Sequence, residues 1–160
     1  MKKLLSALCA CALTGTCIAD DAADAGAKLR EYFAAFNARE IDRIASEIYS
    51  TPVHIGGGDG HRVLADPAAA EANLAGLYDQ IDAQGWQESR IHDLVVCVAS
   101  PTLALVDTRY SRIDDNGDPI PPAIRTVLYV LQKIDGAWRI VAFYSHDEER
   151  RPGCPAAAGG

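Results

Sequence analysis

Residues 123–146 read AIRTVLYVLQK, IDGA, WRIVAFYSH: two runs rich in β-branched and aromatic residues, joined through Asp135-Gly136. An aspartate-glycine pair between such runs is a strong short-range signal for a β-hairpin. Both parities of both runs are largely apolar. A sheet with one wet face would alternate, so both faces of this one need cover. The register stays open on this pattern alone. A two-residue turn puts Tyr129 opposite Ala142, whereas a three-residue turn with a bulge at Gly136 puts it opposite Phe143.

Working backwards, Gln87 to Ala99 and Thr102 to Ile113 have strand character, with a tight turn at Ser100-Pro101 and a longer one from Asp114 to Pro122. Ahead of them the period changes to that of helices. Leu29, Tyr32, Phe33 and Phe36 share one helix face, closed by Asn37; Ile41, Ile44, Ala45 and Ile48 repeat the pattern until Ser50-Thr51-Pro52 stops it. Val53-His54-Ile55 is a short strand, the glycine-rich run 56–60 a loop, and His61 to Leu64 a return strand. Asp66-Pro67 then caps a third helix with Ala70, Leu74, Leu77, Tyr78 and Ile81 on its buried stripe, ended by Gly85. Together these elements predict an α+β domain, a curved antiparallel sheet wrapped around three N-terminal helices. With 160 residues, 49% of them hydrophobic, the chain can bury one real core.

Both ends lie outside that domain. Met1-Lys2-Lys3, an apolar run from Leu4 to Leu13 and the small-residue end Cys17-Ile18-Ala19 follow the order of a signal peptide cut after Ala19. The expectation is therefore an exported protein, periplasmic or secreted, with a leader at 1–19, a domain at 20–147 and a disordered tail at 148–160 rich in charge, Pro, Ala and Gly. Loss of Lys2 and Lys3 leaves 13 basic against 22 acidic residues, a net charge of −9. That argues against nucleic acid and anionic membranes as partners, and no later run is long enough to span a bilayer. Two cysteines remain, Cys97 near a hairpin turn and Cys154 in the tail. A bridge requires the tail to climb back roughly 20 to 25 Å and cross about 14 Å of sheet, close to its full reach of about 30 Å. A disulfide and a buried free Cys97 both stay open.

The segments KLREYFAAFNAREIDRIASEIYS (28–50), the helix ending at Gly85 and above all KIDGAWRIVAFYSH (133–146) resemble the nuclear-transport-factor-2-like superfamily, which includes SnoaL-like cyclases and ketosteroid isomerases. The similarity spans about Ala25 to His146. It implies a cystatin-like cone with an apolar pocket at its open end, and a homodimer formed through the outer sheet face. Activities differ widely among proteins of this kind, so function has to come from residues. The isomerases use a helix-1 tyrosine, a carboxylate base after the first strand and a protonated aspartate on a pocket strand. Tyr32 matches the tyrosine, but the base position falls on Gly56 and the second acid close to Val130. Asp59 reaches the pocket only if its glycine loop folds inward.

The candidate ligand-binding residues are Tyr32, His54, Arg109, Tyr129, Phe143 and Ser145. Resemblance to hub domains of the superfamily places Arg109 and Tyr129 in the pocket and favours the bulged register, with Tyr129, Val141, Phe143 and Ser145 facing inward beside Arg109. Asp107 shares a strand face with Arg109 and offers the alternative of an internal salt bridge. His54 and His61 face each other across the short hairpin, but no histidine spacing suits a zinc site, and no cofactor motif is present. The functional expectation is an exported domain binding a small apolar or weakly acidic ligand. A SnoaL-like isomerase, lyase or hydrolase with a rearranged acid-base pair, and a ligand-free dimeric accessory domain, are the alternatives.

Overall fold

The structure, a computed structural model, describes residues 14–58 and 60–154, with side chains from residue 20. Residues 1–13 of the expected leader, Asp59 and residues 155–160 of the tail lie outside the described residues.

Helix α1 (Thr14–Asn37) buries Ala25, Leu29, Tyr32, Phe33 and Phe36 on the face that the spacing predicts. Its last residue also clamps the helix to the sheet. Asn37 Oδ1 accepts the Ser89 N–H at 2.8 Å, and Asn37 Nδ2 donates to the Ser89 carbonyl at 3.0 Å. Helix α2 (Ile41–Arg43) continues as a π-helical turn (Ile44–Ile48) that buries Ile44, Ala45 and Ile48. The wider turn ends with the Tyr49 N–H bonded to the Ile44 carbonyl. Tyr49 thereby faces α1, where its hydroxyl donates to that of Tyr32 at 3.3 Å.

Strand β1 runs Tyr49–Gly57, longer than the expected Val53-His54-Ile55. Proline reads as a stop in sequence, but Pro52 lies where the β1 register shifts, between Tyr49 and His54, so its missing N–H breaks no regular ladder. Strand β2 (Gly60–Leu64) returns antiparallel to it. Helix α3 (Pro67–Asp82) starts at Asp66, whose carboxylate accepts the Ala69 N–H at 2.8 Å, and buries Ala70, Leu74, Tyr78 and Ile81. Strands β3 (Trp86–Ser100), β4 (Leu103–Asp114), β5 (Arg125–Ile134) and β6 (Ala137–Ser145) complete a six-stranded sheet in the order β2-β1-β6-β5-β4-β3.

The α+β cone is as expected, with one correction: β1 pairs parallel to β6, so the sheet is mixed. The hairpin register also has a different cause from the one expected. Its turn holds two residues, Asp135 (φ 51°) and Gly136 (φ 81°), between the paired Ile134 and Ala137. The extra residue enters at Val141, because Val130 pairs with Ala142 while Leu131 pairs with Ile140. Tyr129 consequently lies opposite Phe143. Three register shifts in β3 mark where the long β3–β4 ribbon bends. The helices fill its concave side, burying Ala104, Val106 and Thr108 of β4 and Tyr129 and Leu131 of β5.

Residues 148–154 of the expected disordered tail are packed against the outer side of the sheet, which corrects the compositional reading. A short 3-10 turn (Glu148–Arg150) leads to Arg151, which donates to Asp107 and Asp93, and Cys154 is disulfide-bonded to Cys97 with Cα atoms 5.4 Å apart. Charge pairing and a covalent bond order a segment that has few apolar side chains of its own. Among the described residues, no helix is long and apolar enough to cross a membrane.

Candidate functional site

Inside the cone lies a cavity of about 80 Å³, and a second of about 190 Å³ opens beside it. The two share Arg62, Val127 and Phe143 as walls. Helix α1 supplies Tyr32, Phe33 and Phe36 to the inner cavity, β1 supplies Tyr49, β4 Tyr110 and Arg112, and β5 Tyr129. The rings pack on one another: Tyr32 lies 5.8 Å from Tyr49 and 5.7 Å from Tyr129, and Tyr129 lies 5.6 Å from Phe143. Ligand pockets ordinarily enclose about 300 to 1,000 Å³. This cavity suits a molecule of a few non-hydrogen atoms and is too small for a steroid skeleton.

Its polar chemistry is one-sided. Burial pushes the Tyr32 hydroxyl up to about 12, against the opposing pull of its hydrogen bond with Tyr49. Burial, followed by the proximity of Tyr32, holds Tyr49 and Tyr129 well above the usual phenol range. At neutral pH these hydroxyls are hydrogen-bond donors and acceptors, not bases. The lining contains no carboxylate. It does contain a guanidinium, since Arg112 projects from β4 with its Nε buried and without an acceptor. Arg112 is half-buried and its Nε is out of reach of water, and an anion in the cavity would supply both an acceptor and a counter-charge. The inner cavity can therefore hold an acid at Arg112 with a small apolar body among the rings.

The structure places the six candidates as follows. Tyr32, Tyr129 and Phe143 line the inner cavity, and Ser145 lines its neighbour at the mouth. Arg109 is not among them. On β4 the residues Val106, Thr108, Tyr110 and Arg112 face the helices, which leaves Asp107 and Arg109 on the outer side. There Arg109 pairs with Glu148, and Asp107 pairs with Arg151 and His146 rather than with Arg109. His54 also faces outward, because Val53 and Ile55 take the core positions of β1. It stacks on His61, with His54 Nδ1 and His61 Nε2 3.3 Å apart, and borders a hollow shared with Val141 and Tyr144. Val141, expected inward, occupies the bulge. Tyr49, Tyr110, Arg112 and Arg62 complete the site and were absent from the candidates. For Arg112 the signal was its parity with Val106, Thr108 and Tyr110.

Of the two acid positions of the isomerase pattern, Gly56 is closed by packing and Val130 faces away from the cavity. A Cβ on Gly56 would overlap the ring of Tyr144 on the outer side, and one on Gly57 would overlap Ser145 Oγ. Val130 pairs with Leu105 on the outer side of the sheet, away from Tyr129 and the cavity. Among the described residues, no group of three or more His, Cys, Asp or Glu is placed to hold a metal ion.

A family described as "NTF2-like protein (DUF6841)" matches residues 22–148. No curated protein matches the sequence. Among solved structures, an NTF2-like protein with a cystatin-like fold from Novosphingobium aromaticivorans superposes with a TM-score of 0.65 at 13% identity, over 80% of this chain and 82% of that one. A ketosteroid isomerase-like protein from Erwinia carotovora atroseptica gives 0.58 at 17% identity, over 79% and 95%. A putative calcium/calmodulin dependent protein kinase II association domain from Xanthomonas campestris gives 0.54 at 18% identity, over 75% and 82%. At these identities the likeness is one of fold.

Proposed function

The chain belongs to the NTF2-like family, and from that premise we propose that its cone is a non-catalytic receptor for a small carboxylate-bearing molecule. One observation carries the reading: the Arg112 guanidinium, with its Nε unpartnered, faces an aromatic cavity that contains no acid. The ligand's carboxylate sits on Arg112, its apolar part lies against Tyr32, Tyr129 and Phe143, and Arg62 stands at the mouth. A charge-assisted contact of this kind is worth about 1.5 to 3 kcal/mol, or roughly ten- to over a hundredfold in affinity.

The test is calorimetry with small carboxylates such as acetate, propionate and benzoate beside their amides. The acids bind and the amides do not, and Arg112→Met removes acid binding while the fold stays intact. Equal binding of acids and amides, or unaltered binding by Arg112→Met, overturns the reading.

The alternative of a rearranged isomerase rests on the likeness to the ketosteroid isomerase-like protein. It is disfavoured by the packing at Gly56 and Gly57 and by the neutral tyrosines. The working place of the domain is outside the cytoplasm, periplasmic or secreted. The leader-like residues 1–19 and the disulfide support this, since such bonds persist in oxidising compartments. Self-association through the outer sheet has support in the half-exposed Tyr144 and Leu103, and the described part of the tail, as far as Cys154, runs over β3 to β5 and not over β1 and β6.

A further inference from the structure

The outer side of the sheet has a charge problem that the tail solves. Asp107 is 2% exposed, and its ladder neighbours are Val95 and Leu128. Both of its oxygens are met from beyond β6: His146 Nε2 stands 2.8 Å from Oδ1, and Arg151 Nε donates to Oδ2 at 2.5 Å. Arg151 also donates to Asp93 at 2.6 Å, and Glu148 pairs with Arg109. The far end is fixed covalently, Cys154 to Cys97. Pro152 and Gly153 thus partly roof a hollow whose floor is a half-buried apolar strip of Val95, Leu105 and Leu128.

The two kinds of fastening differ in strength. The rim pairs Arg109–Glu148 and Arg151–Asp93 are weak and are screened by salt, and the buried Arg151–Asp107 pair repays little more than its own desolvation, because Asp107 returns to water when the tail lifts. The disulfide makes their formation intramolecular and so holds them at high effective concentration. Its two sulfurs also differ in access, since Cys154 is exposed and Cys97 is half-buried in β3. An external thiol meets the tail's sulfur first, and exposed bridges are the labile ones.

We infer that Asp147–Cys154 is a thiol-released strap: opening of the Cys97–Cys154 bond by a dithiol lifts it and uncovers the strip of Val95, Leu105 and Leu128 while the domain stays folded. One thiolate of the reagent attacks Cys154 Sγ, forming a mixed disulfide and expelling the Cys97 thiolate. The second thiol then closes on the first and frees Cys154. Two electrons and two protons pass from the dithiol, which becomes a cyclic disulfide, to the two cysteines.

In Cys154→Ser the Cys97 thiol lies beneath the strap, and its alkylation rate reads how often the strap is open. The open reference is Cys154→Ser combined with Arg151→Met. At physiological salt the single variant is alkylated within about threefold of the double variant, and it binds an apolar fluorescent dye as reduced wild type does and oxidised wild type does not. Near-UV circular dichroism stays native. Alkylation more than about threefold slower than the reference overturns the inference, because charge alone then holds the strap. Loss of native near-UV signal on reduction overturns it as well, because the bond is then a staple of the whole fold. If the double variant does not fold, dye binding by Cys154→Ser decides, and its absence overturns the inference.

Discussion

Arg109 and Arg112 are three residues apart on β4 and face opposite sides of the sheet. Arg109 points out, pairs with Glu148 and belongs to a lattice of charges that includes Asp93, Asp107, His146 and Arg151. Arg112 points in, among tyrosines, with its Nε unpartnered and no acid in the cavity lining. Arg109 has a counter-charge within the chain, although its own Nε is also buried without an acceptor, whereas the cavity lining offers Arg112 no acid. Residue type does not distinguish the two arginines; strand parity does.

The comparison can be broken or sharpened by substitution on either side. The largest effect is expected for Arg151→Met, which leaves the buried Asp107 carboxylate with His146 alone. Truncating one partner of such a pair costs about 3 kcal/mol, read as a lower urea midpoint. Arg112→Met should change stability by under about 1 kcal/mol, because no internal partner is stranded, yet weaken carboxylate binding by roughly ten- to a hundredfold in calorimetry. Loss of stability comparable to Arg151→Met would show that Arg112 is a structural ion after all.

A pH titration isolates the inner side. Tyr32 has its pKa raised to about 12 in the fold, so the folded state holds the proton more tightly than the unfolded chain, whose phenol titrates near 10. Its contribution to stability is complete below pH 10 and drains away as pH rises from 10 to 12. Tyrosinate absorbance should rise late and together with unfolding; a rise before the unfolding transition would mean that water reaches the ring. The smallest effect belongs to Arg109→Met. An exposed pair such as Arg109–Glu148 is worth under about 1 kcal/mol and weakens with salt, and ligand affinity should be unchanged.

How much of this was legible in the sequence follows the periodicities. The three helices, the Asp66 cap and the Asp135-Gly136 turn announce themselves through spacing or turn chemistry. Tyr32, Tyr129 and Phe143, which line the cavity, were legible through resemblance to ketosteroid isomerases and hub domains; helix phase put Tyr32 on a buried face, but the strand pattern left the hairpin register open. The bulge at Val141 left no trace, since Ile140-Val141-Ala142 is apolar on both parities and a slip there disturbs no pattern. The same lack of contrast on β4 hid the choice between Arg109 and Arg112. The strap was hidden for another reason: its order comes from Asp93, Asp107 and Cys97, distant in sequence, whereas composition reads only its own residues. The parallel pairing of β1 with β6 likewise joins segments with α3 and four strands between them.

The packed glycines at the end of β1 couple that strand to β6. A carboxylate introduced at either position needs a β6 side chain to move. Position 56 is occupied in space by Tyr144 and position 57 by Ser145. A lone acid at either place meets a ring or a hydroxyl of β6, and trimming β6 first removes the contacts that those glycines make possible. Each glycine thus holds its β6 neighbour in place, so a side chain at the end of β1 and the packing of β6 are set together and not strand by strand.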